Sequence, residues 1–189
     1  SLVIQDRATT WLRAYSARAK TALEVAAACQ HYHGPSVHPK HVYSDNSEEF
    51  KKAFSELGYL RDTSQPFCPA TNGIAERAVR RVKEGASCCL VQSGLHYEWW
   101  AEAQKYFCFM FCVSECLTSG LTPYQTRFTK DFEGPLWPFG IEVRYKPSSP
   151  HDEARIHKMG SKLLPGLFCG YHEAAGGDWD RTVLIIDCD

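Results

Sequence analysis

The sequence predicts an α/β fold, with a mixed sheet and helices over residues 1–120, followed by a small β-barrel-like unit. Two patterns predict it. In the first part, short apolar runs typical of strands alternate with longer Ala-rich or amphipathic segments typical of helices. After Gly120 the composition shifts, and short apolar runs alternate with turns that contain Pro and Gly.

The chain opens on two apolar runs, residues 2–5 and 11–15, which are separated by the letters DRATT. This spacing predicts an antiparallel hairpin, with Asp6 in or beside its turn. Residues 17–31 are rich in Ala, Leu and Lys and contain neither Gly nor Pro, so they predict a helix that ends before Gly34.

A short strand is expected at residues 41–44, and it ends at Asp45. Residues 47–57 repeat Phe and Ala at helical spacing, which predicts an amphipathic helix. Ser47 is the expected N-cap of this helix and Gly58 its C-cap.

A loop rich in Pro, Thr and Asn, residues 63–73, leads into a long helix predicted at 74–91. A second helix is predicted at 97–117. It is apolar nearly all round, with seven aromatic or Met side chains between Trp99 and Phe111, so it is either deeply buried or part of an interface.

The remaining residues divide into a predicted linker, 121–136, which includes a short helix at LTPYQTRF, and a β unit at 137–189. The runs IEVRYK, LLPGLFCGY and TVLIID predict strands of a small sheet or barrel. A unit of this size has a small core, so we expect it to pack on the first one.

Composition limits the function classes. The chain has 189 residues, 44% of them hydrophobic, and a net charge of -1, so any affinity for nucleic acid must come from local basic patches. No apolar run of about 18 residues occurs, which predicts no transmembrane helix and no membrane partner. The first residues lack the pattern of a signal peptide, and we expect the chain to be cut from a larger protein.

Nine cysteines are present, and none forms a CxxC pair. Cys108, Cys112 and Cys116 recur every four residues on one predicted helix. Because reduced Cys behaves as a small buried hydrophobe, we expect free thiols in a reducing, intracellular compartment rather than a disulfide framework.

Two acidic residues stand out as candidate metal ligands. Asp45 follows a predicted strand, and Glu76 lies in the first turn of the long helix. Each has an ordinary structural alternative, because Asp often caps the next helix and an acid in a first turn pairs with the helix dipole. Together, they are an arrangement that can hold a divalent cation for phosphodiester chemistry.

The helix that carries Glu76 continues with basic residues. Arg80 and Lys83 lie four and seven positions after Glu76, so the three project from one face. The DNA-binding candidates are Arg77, Arg80, Arg81 and Lys83, which could hold a phosphate backbone while the acid holds the metal. Asn72 and Gly73 are the candidate residues of the active-site loop, and glycine there permits close backbone approach.

These residues resemble a family. SDNSEEF, PFCPATNGIAERAVRRVKEG and the downstream LTPYQTRF, PFG and LLPGLFCGY are similar to the integrase of Ty1/copia-type long-terminal-repeat retrotransposons, which is part of a Pol polyprotein. The resemblance implies a ribonuclease-H-like catalytic core over 1–120 and an SH3-like unit over 137–189. It also implies that Asp45 and Glu76 are two of the three acids of a DDE-type polynucleotidyl transferase, which act with Mg²⁺ or Mn²⁺.

The resemblance implies partners as well. They are double-stranded DNA, both element ends and target DNA, and further copies of the full-length protein, acting in the nucleus. The implied reaction is DNA integration by 3′-end processing and strand transfer. Three positions depart from the family pattern: Ser47 replaces a Gly, Ala70 stands where a Gln is usual, and only 30 residues separate Asp45 from Glu76.

The third acid is not evident. Asp6 is the nearest candidate, but in the resembling pattern it lies in the turn of the second and third strands, so we expect the first strand and its Asp to be absent from this chain. The alternative function is therefore a catalytically inactive or domesticated remnant that acts in DNA binding or oligomerisation.

Overall fold

The computed structural model of the chain describes residues 1–35, 37–63 and 73–188. Its first half comprises β1 (Leu2–Gln5), β2 (Leu12–Tyr15), α1 (Ala22–His33), β3 (Val42–Ser44), α2 (Glu48–Leu57) and β4 (Arg61–Thr63). Its second half comprises α3 (Gly73–Ser93), a 3₁₀ turn (Tyr97–Trp99), α4 (Trp100–Ser114), α5 (Pro123–Phe128), β5 (Glu142–Tyr145), α6 (Pro150–Ala154), β6 (Leu164–Glu173) and β7 (Trp179–Asp187).

The predicted hairpin is confirmed, because β1 and β2 pair antiparallel from Leu2 opposite Tyr15 to Gln5 opposite Leu12. The first helix begins later than predicted. Thr21 caps it by accepting a hydrogen bond from the Glu24 amide (3.3 Å), so the chain before Thr21 is not helical.

The caps of α2 are where the sequence predicts them. Ser47 is the N-cap residue, although its side chain makes no capping hydrogen bond, and Gly58 ends the helix with φ of 68°. The last predicted helix turn is absent from α4, which ends at Ser114. Cys116 therefore lies outside the helix and is exposed, whereas Cys108 and Cys112 are buried.

The strands form three separate small sheets in the described residues. Besides the hairpin, β3 pairs parallel with β4, from Val42 opposite Arg61 to Ser44 opposite Thr63. The third sheet has the order β5-β6-β7 and is antiparallel. Strand β4 and helix α6 were not predicted from the sequence.

Helix α4 lies at the centre of the molecule. It contacts α3, α5, β2 and β6. Tyr106 and Phe109 are buried in one cluster with Phe168 and Tyr171 of β6, and the Phe109 and Tyr171 rings stack with centroids 4.4 Å apart. One face of this aromatic helix is therefore buried, whereas Trp100 on it is 41% exposed, and a role in an interface stays a prediction.

The C-terminal sheet packs directly on the first half of the chain. Within the predicted linker, α5 places Tyr124 against Trp11, with ring centroids 6.0 Å apart. A capping box at Thr122 and Gln125 fixes the start of this helix. The three strands of the described part form an open sheet, and a closed barrel remains a prediction.

An ion pair between Arg13 of β2 and Glu173 of β6 joins the two halves of the chain. The side chains are only 5% and 13% exposed. The Arg13 guanidinium lies 3.7 Å from the Trp11 ring centroid and donates to the Cys112 thiol (3.3 Å). Burial raises the pKa of Glu173, and Arg13 opposes this shift.

All eight described cysteines are free thiols, as expected, and the reducing, intracellular compartment stays a prediction. Among the described residues no helix has the length and apolar composition needed to cross a membrane.

Replacing Glu173 with Gln leaves Arg13 charged and buried without its counter-ion. We expect the free energy of unfolding to fall by about 3–5 kcal/mol, the range for breaking one partner of a buried pair. Urea unfolding followed by tryptophan fluorescence measures the change. Glu48→Gln removes the exposed pair with Lys51 and should leave the midpoint unchanged. Equal, small effects of both substitutions would contradict the structural importance of the Arg13–Glu173 pair.

Candidate active site

Asp45 lies directly after β3 and is exposed. One carboxylate oxygen, Oδ1, accepts a hydrogen bond from the Ser47 amide (3.1 Å). This contact is the ordinary role of an Asp before a helix. It occupies one of the two oxygens, and a carboxylate in this position can still bind a cation through the other.

Arg61 of β4 holds the backbone at Asp45 in place. Its Nη2 donates to the Asp45 carbonyl (2.8 Å), and its Nε donates to the Ser44 hydroxyl (3.0 Å). The Ser44 hydroxyl in turn donates to the same carbonyl (2.9 Å). Sequence reasoning missed Arg61 because the three-residue strand that carries it has no apolar pattern.

Glu76 lies in the first turn of α3 and is exposed. The buried face of this helix consists of Ala78, Val82 and Ala86, which recur at every fourth position. Because α3 is continuous from Gly73 to Ser93, Glu76 projects away from that face. Among the described residues its carboxylate has neither a hydrogen bond nor an ion pair.

The four predicted cations of α3 are all exposed: Arg77, Arg80, Arg81 and Lys83. In the described part of the chain none forms an ion pair with an acid. Arg81 differs from the others, because its guanidinium lies 4.9 Å from the Phe111 ring centroid of α4. Arg81 therefore has a structural contact, and Arg77, Arg80 and Lys83 are left as the freely exposed charges.

The predicted loop residue Asn72 lies outside the described residues. Gly73 is the first residue of α3. Within the described residues a Cβ at Gly73 would meet only Nη1 of Arg77, at 4.0 Å, which is an ordinary contact. None of the described groups therefore requires glycine at this position.

Asp6 has the turn role that the sequence predicts for it. Its carboxylate accepts hydrogen bonds from the Ala8 amide (3.2 Å) and from the Thr9 amide (3.3 Å) and hydroxyl (2.6 Å). Its own amide donates to the Trp11 carbonyl (2.9 Å). These contacts account for Asp6 without a metal.

Within residues 1–35, 37–63 and 73–188 no three His, Cys, Asp or Glu side chains form a group that could hold a metal ion. The structure thus leaves Asp45, directly after β3, and Glu76, on α3, as exposed acids, and no third acid joins either of them in the described residues. Carboxylate oxygens are the donors that Mg²⁺ prefers, so the two residues fit the expected ion in kind but not in number.

A groove in the described residues lies away from these acids. It is open, has a volume of about 440 Å³ and lies between α4 and the β6–β7 pair, lined in part by Trp99, Lys105, Cys169 and Leu184. No candidate catalytic residue lines it, so it is not part of the predicted site.

No protein-family model matches the sequence, and no curated protein does either. Solved structures do match. A chain of the simian T-cell lymphotropic virus intasome in complex with PP2A regulatory subunit B56 gamma aligns over 98% of this chain and 68% of its own, at 19% identity and a TM-score of 0.54. The HTLV-2 integrase catalytic core domain in complex with magnesium, in a trimeric form, aligns over 66% of this chain and 81% of its own, at 19% identity and a TM-score of 0.50.

The catalytic core domain of BIV integrase aligns over 65% of this chain and 81% of its own, at 24% identity and a TM-score of 0.48. The likeness to the HTLV-2 core and to the intasome chain shows that the chain has an integrase-like, ribonuclease-H-like α/β fold. At these identities it shows the fold alone.

Arg80 and Arg81 are neighbours with different surroundings, which makes them a matched pair. Arg81→Ala removes the contact with Phe111 and should lower the free energy of unfolding by about 0.5–1 kcal/mol. Arg80→Ala should leave the free energy of unfolding nearly unchanged, since Arg80 is exposed. The small change in helix propensity is the same in both variants, so the difference between them reports the contact with Phe111. Chemical denaturation measures both. A larger loss for Arg80→Ala would contradict the placement of these side chains.

Proposed function

We propose that the chain is the integrase region of a Ty1/copia-type retrotransposon Pol polyprotein. Its full-length parent carries out DNA integration by metal-dependent 3′-end processing and strand transfer. The observation that carries the proposal is an exposed Asp45 at a strand end and an exposed Glu76 that opens a basic helix, in a chain with an integrase-like fold.

The separation of the β1–β2 and β3–β4 sheets supports a catalytic core that needs one more strand. In the described residues β1 and β3 do not pair with each other. Yet Ile4 of β1 and Val42 of β3 pack on the same buried cluster, which includes Val25 and Phe54. Two isolated parallel strands are marginal, and parallel strands are normally covered on both faces, whereas Tyr43 of β3 is 43% exposed.

A strand inserted between β1 and β3 would pair with both edges and join the two small sheets. We propose that it carries the third acid, because its end would lie beside Asp45. The site would then have the three carboxylates of a DDE-type enzyme, and Asp6 would keep its role in the turn.

Mg²⁺ or Mn²⁺ is the proposed cofactor, with Asp45 and Glu76 as ligands. The ion would activate water, and then a 3′-hydroxyl, for attack on phosphorus. The chain's own residues hold and orient the groups around it. Arg61 fixes the Asp45 backbone, and the exposed cations Arg77, Arg80 and Lys83 would bind the phosphates of DNA near Glu76.

The proposed partners are double-stranded DNA, both element ends and target DNA, and other copies of the full-length protein. The net charge of -1 makes non-specific attraction to DNA weak for the whole chain, so the face of α3 must supply it. We propose nuclear action in a reducing environment, for which the free thiols of the described cysteines are suitable.

A second candidate function is a catalytically inactive or domesticated remnant that binds DNA or other subunits. The incomplete acid group in the described residues favours it. The two candidates differ in the activity of the full-length parent, since only the first predicts strand transfer by the unmodified protein.

The central role of Asp45 predicts a large effect in the full-length parent. Asp45→Asn should lower strand transfer of labelled element ends by about 10³-fold or more, since a metal ligand stabilises the transition state by several kcal/mol. Asp6→Asn is the matched control, because its one amide oxygen can still accept the hydrogen bonds from the Thr9 amide and hydroxyl, and only the bond from the Ala8 amide is lost. It should keep activity within about threefold, and unchanged activity of Asp45→Asn would rule out the proposed site.

The phosphate role of α3 predicts a salt effect on binding. Arg80→Ala in this chain should weaken binding to labelled duplex DNA and reduce the slope of log affinity against log salt by about 0.9, the value for one lost phosphate contact. Lys51→Ala on α2, whose ammonium pairs with Glu48, should leave the slope unchanged. Equal slopes for Arg80→Ala and the unmodified chain would place DNA elsewhere.

A further inference from the structure

The turn between β6 and β7, residues 174–178, is embedded in the first half of the chain. The turn is closed internally, because the Ala174 amide donates to the Asp178 carbonyl (2.9 Å) and the Gly177 amide donates to the Ala174 carbonyl (2.8 Å). Gly176 and Gly177 have φ of 98° and 90°, which side-chain-bearing residues rarely adopt. The sequence therefore builds a compact turn with a defined shape.

Backbone groups of α1 and a side chain of α5 hold this turn. The Gly176 amide donates to the His31 carbonyl in the last turn of α1 (2.7 Å). Arg127 of α5 donates through Nε to the Gly176 carbonyl (3.2 Å) and through Nη2 to the Tyr32 carbonyl (2.8 Å). One guanidinium thus links the turn to the end of α1.

The fit between the turn and the first half is close enough to require glycine. A Cβ on Gly34, directly after α1, would lie 2.9 Å from the Gly176 Cα. A Cβ on Gly177 would lie 2.8 Å from the Trp11 ring. Both distances are too short for real contacts, so any added carbon would push the turn away from α1 and β2.

Asp178 adds a polar anchor at the far end of the turn. Its carboxylate accepts hydrogen bonds from the Tyr124 hydroxyl (2.7 Å) and from the Lys130 ammonium (2.8 Å), both outside the C-terminal sheet. Burial alone would raise the pKa of Asp178, but these hydrogen bonds outweigh it and lower the pKa. The hydrogen bonds from Tyr124 and Lys130 therefore favour the charged form of Asp178.

We propose that residues 174–178 are a clasp that holds the C-terminal sheet closed on α4 and fixes its orientation relative to the basic face of α3. In the closed state the sheet moves with the first half of the chain as one body. When the clasp is broken, the sheet separates from α4 more often, against the Arg13–Glu173 pair that remains, while the cluster between α1 and α2 stays folded. This inference does not depend on the proposed function.

Two native thiols report on the two regions separately. Cys169 of β6 packs in the cluster shared with α4, and Cys29 of α1 packs in the cluster shared with α2. They are 8% and 5% exposed, and burial raises the pKa of both thiols to about 11. N-Ethylmaleimide labelling of the whole chain, resolved by site with mass spectrometry, gives the opening rate of each region.

Because Cys169 lines the open groove beside α4, the rate at each thiol is compared with the rate at the same thiol in the unmodified chain. Asp178→Ala should accelerate Cys169 by about tenfold or more, the factor expected for losing its two hydrogen bonds, and leave Cys29 unchanged. Asp180→Ala is the matched control, since Asp180 bonds His172 and the Thr182 amide within the sheet. It should change neither rate.

Tyr124→Phe is a milder second variant that removes one anchor, and it should accelerate Cys169 by a smaller factor. Two results would overturn the proposal. One is a Cys169 rate that Asp178→Ala leaves within about twofold of the rate in the unmodified chain. The other is a pair of clasp variants that accelerate both thiols equally.

Discussion

The fold depends above all on the buried ion pair between Arg13 and Glu173. Arginine keeps its charge at any ordinary pH, so burying it in β2 requires a counter-charge, and among the described residues Glu173 of β6 supplies it. The guanidinium is also held by the Trp11 ring on one side and by the Leu12 carbonyl (2.7 Å) and the Cys112 thiol on the other. Separating β6 from β2 would leave a buried charge unpaired, at a cost of about 3–5 kcal/mol.

The Arg13–Glu173 pair is connected to the candidate site through α4. The helix packs on β2, β6 and α3, and Ala78 and Val82 of the buried face of α3 lie in one cluster with Leu12 of β2 and Cys108 of α4. The opposite face of α3 is left to carry Glu76, Arg80 and Lys83 into solvent. A rigid, apolar interior therefore supports an exposed, charged surface, which is the division of roles that a site for a large polyanion requires.

The elements that could be predicted from the sequence are those whose signals are local. The αL glycine at Gly58, the hairpin with Asp6 in its turn and the continuous basic helix all follow from residue type and spacing. Sequence reasoning missed what depends on distant partners. Arg13 is an ordinary polar residue in an apolar run until Glu173, 160 positions away, is brought to it. Arg61 likewise gains its role only when β4 pairs with β3.

The central claim is that Asp45 and Glu76 belong to one cation site. Titration of the isotope-labelled chain with Mn²⁺, followed by paramagnetic broadening of backbone amide signals, measures this directly. The account predicts that signals around Asp45 and around Glu76 broaden together, at the lowest Mn²⁺ concentration that affects any signal. Broadening that begins at the acidic start of α2, around Glu48 and Glu49, or that reaches only one of the two residues, would contradict it.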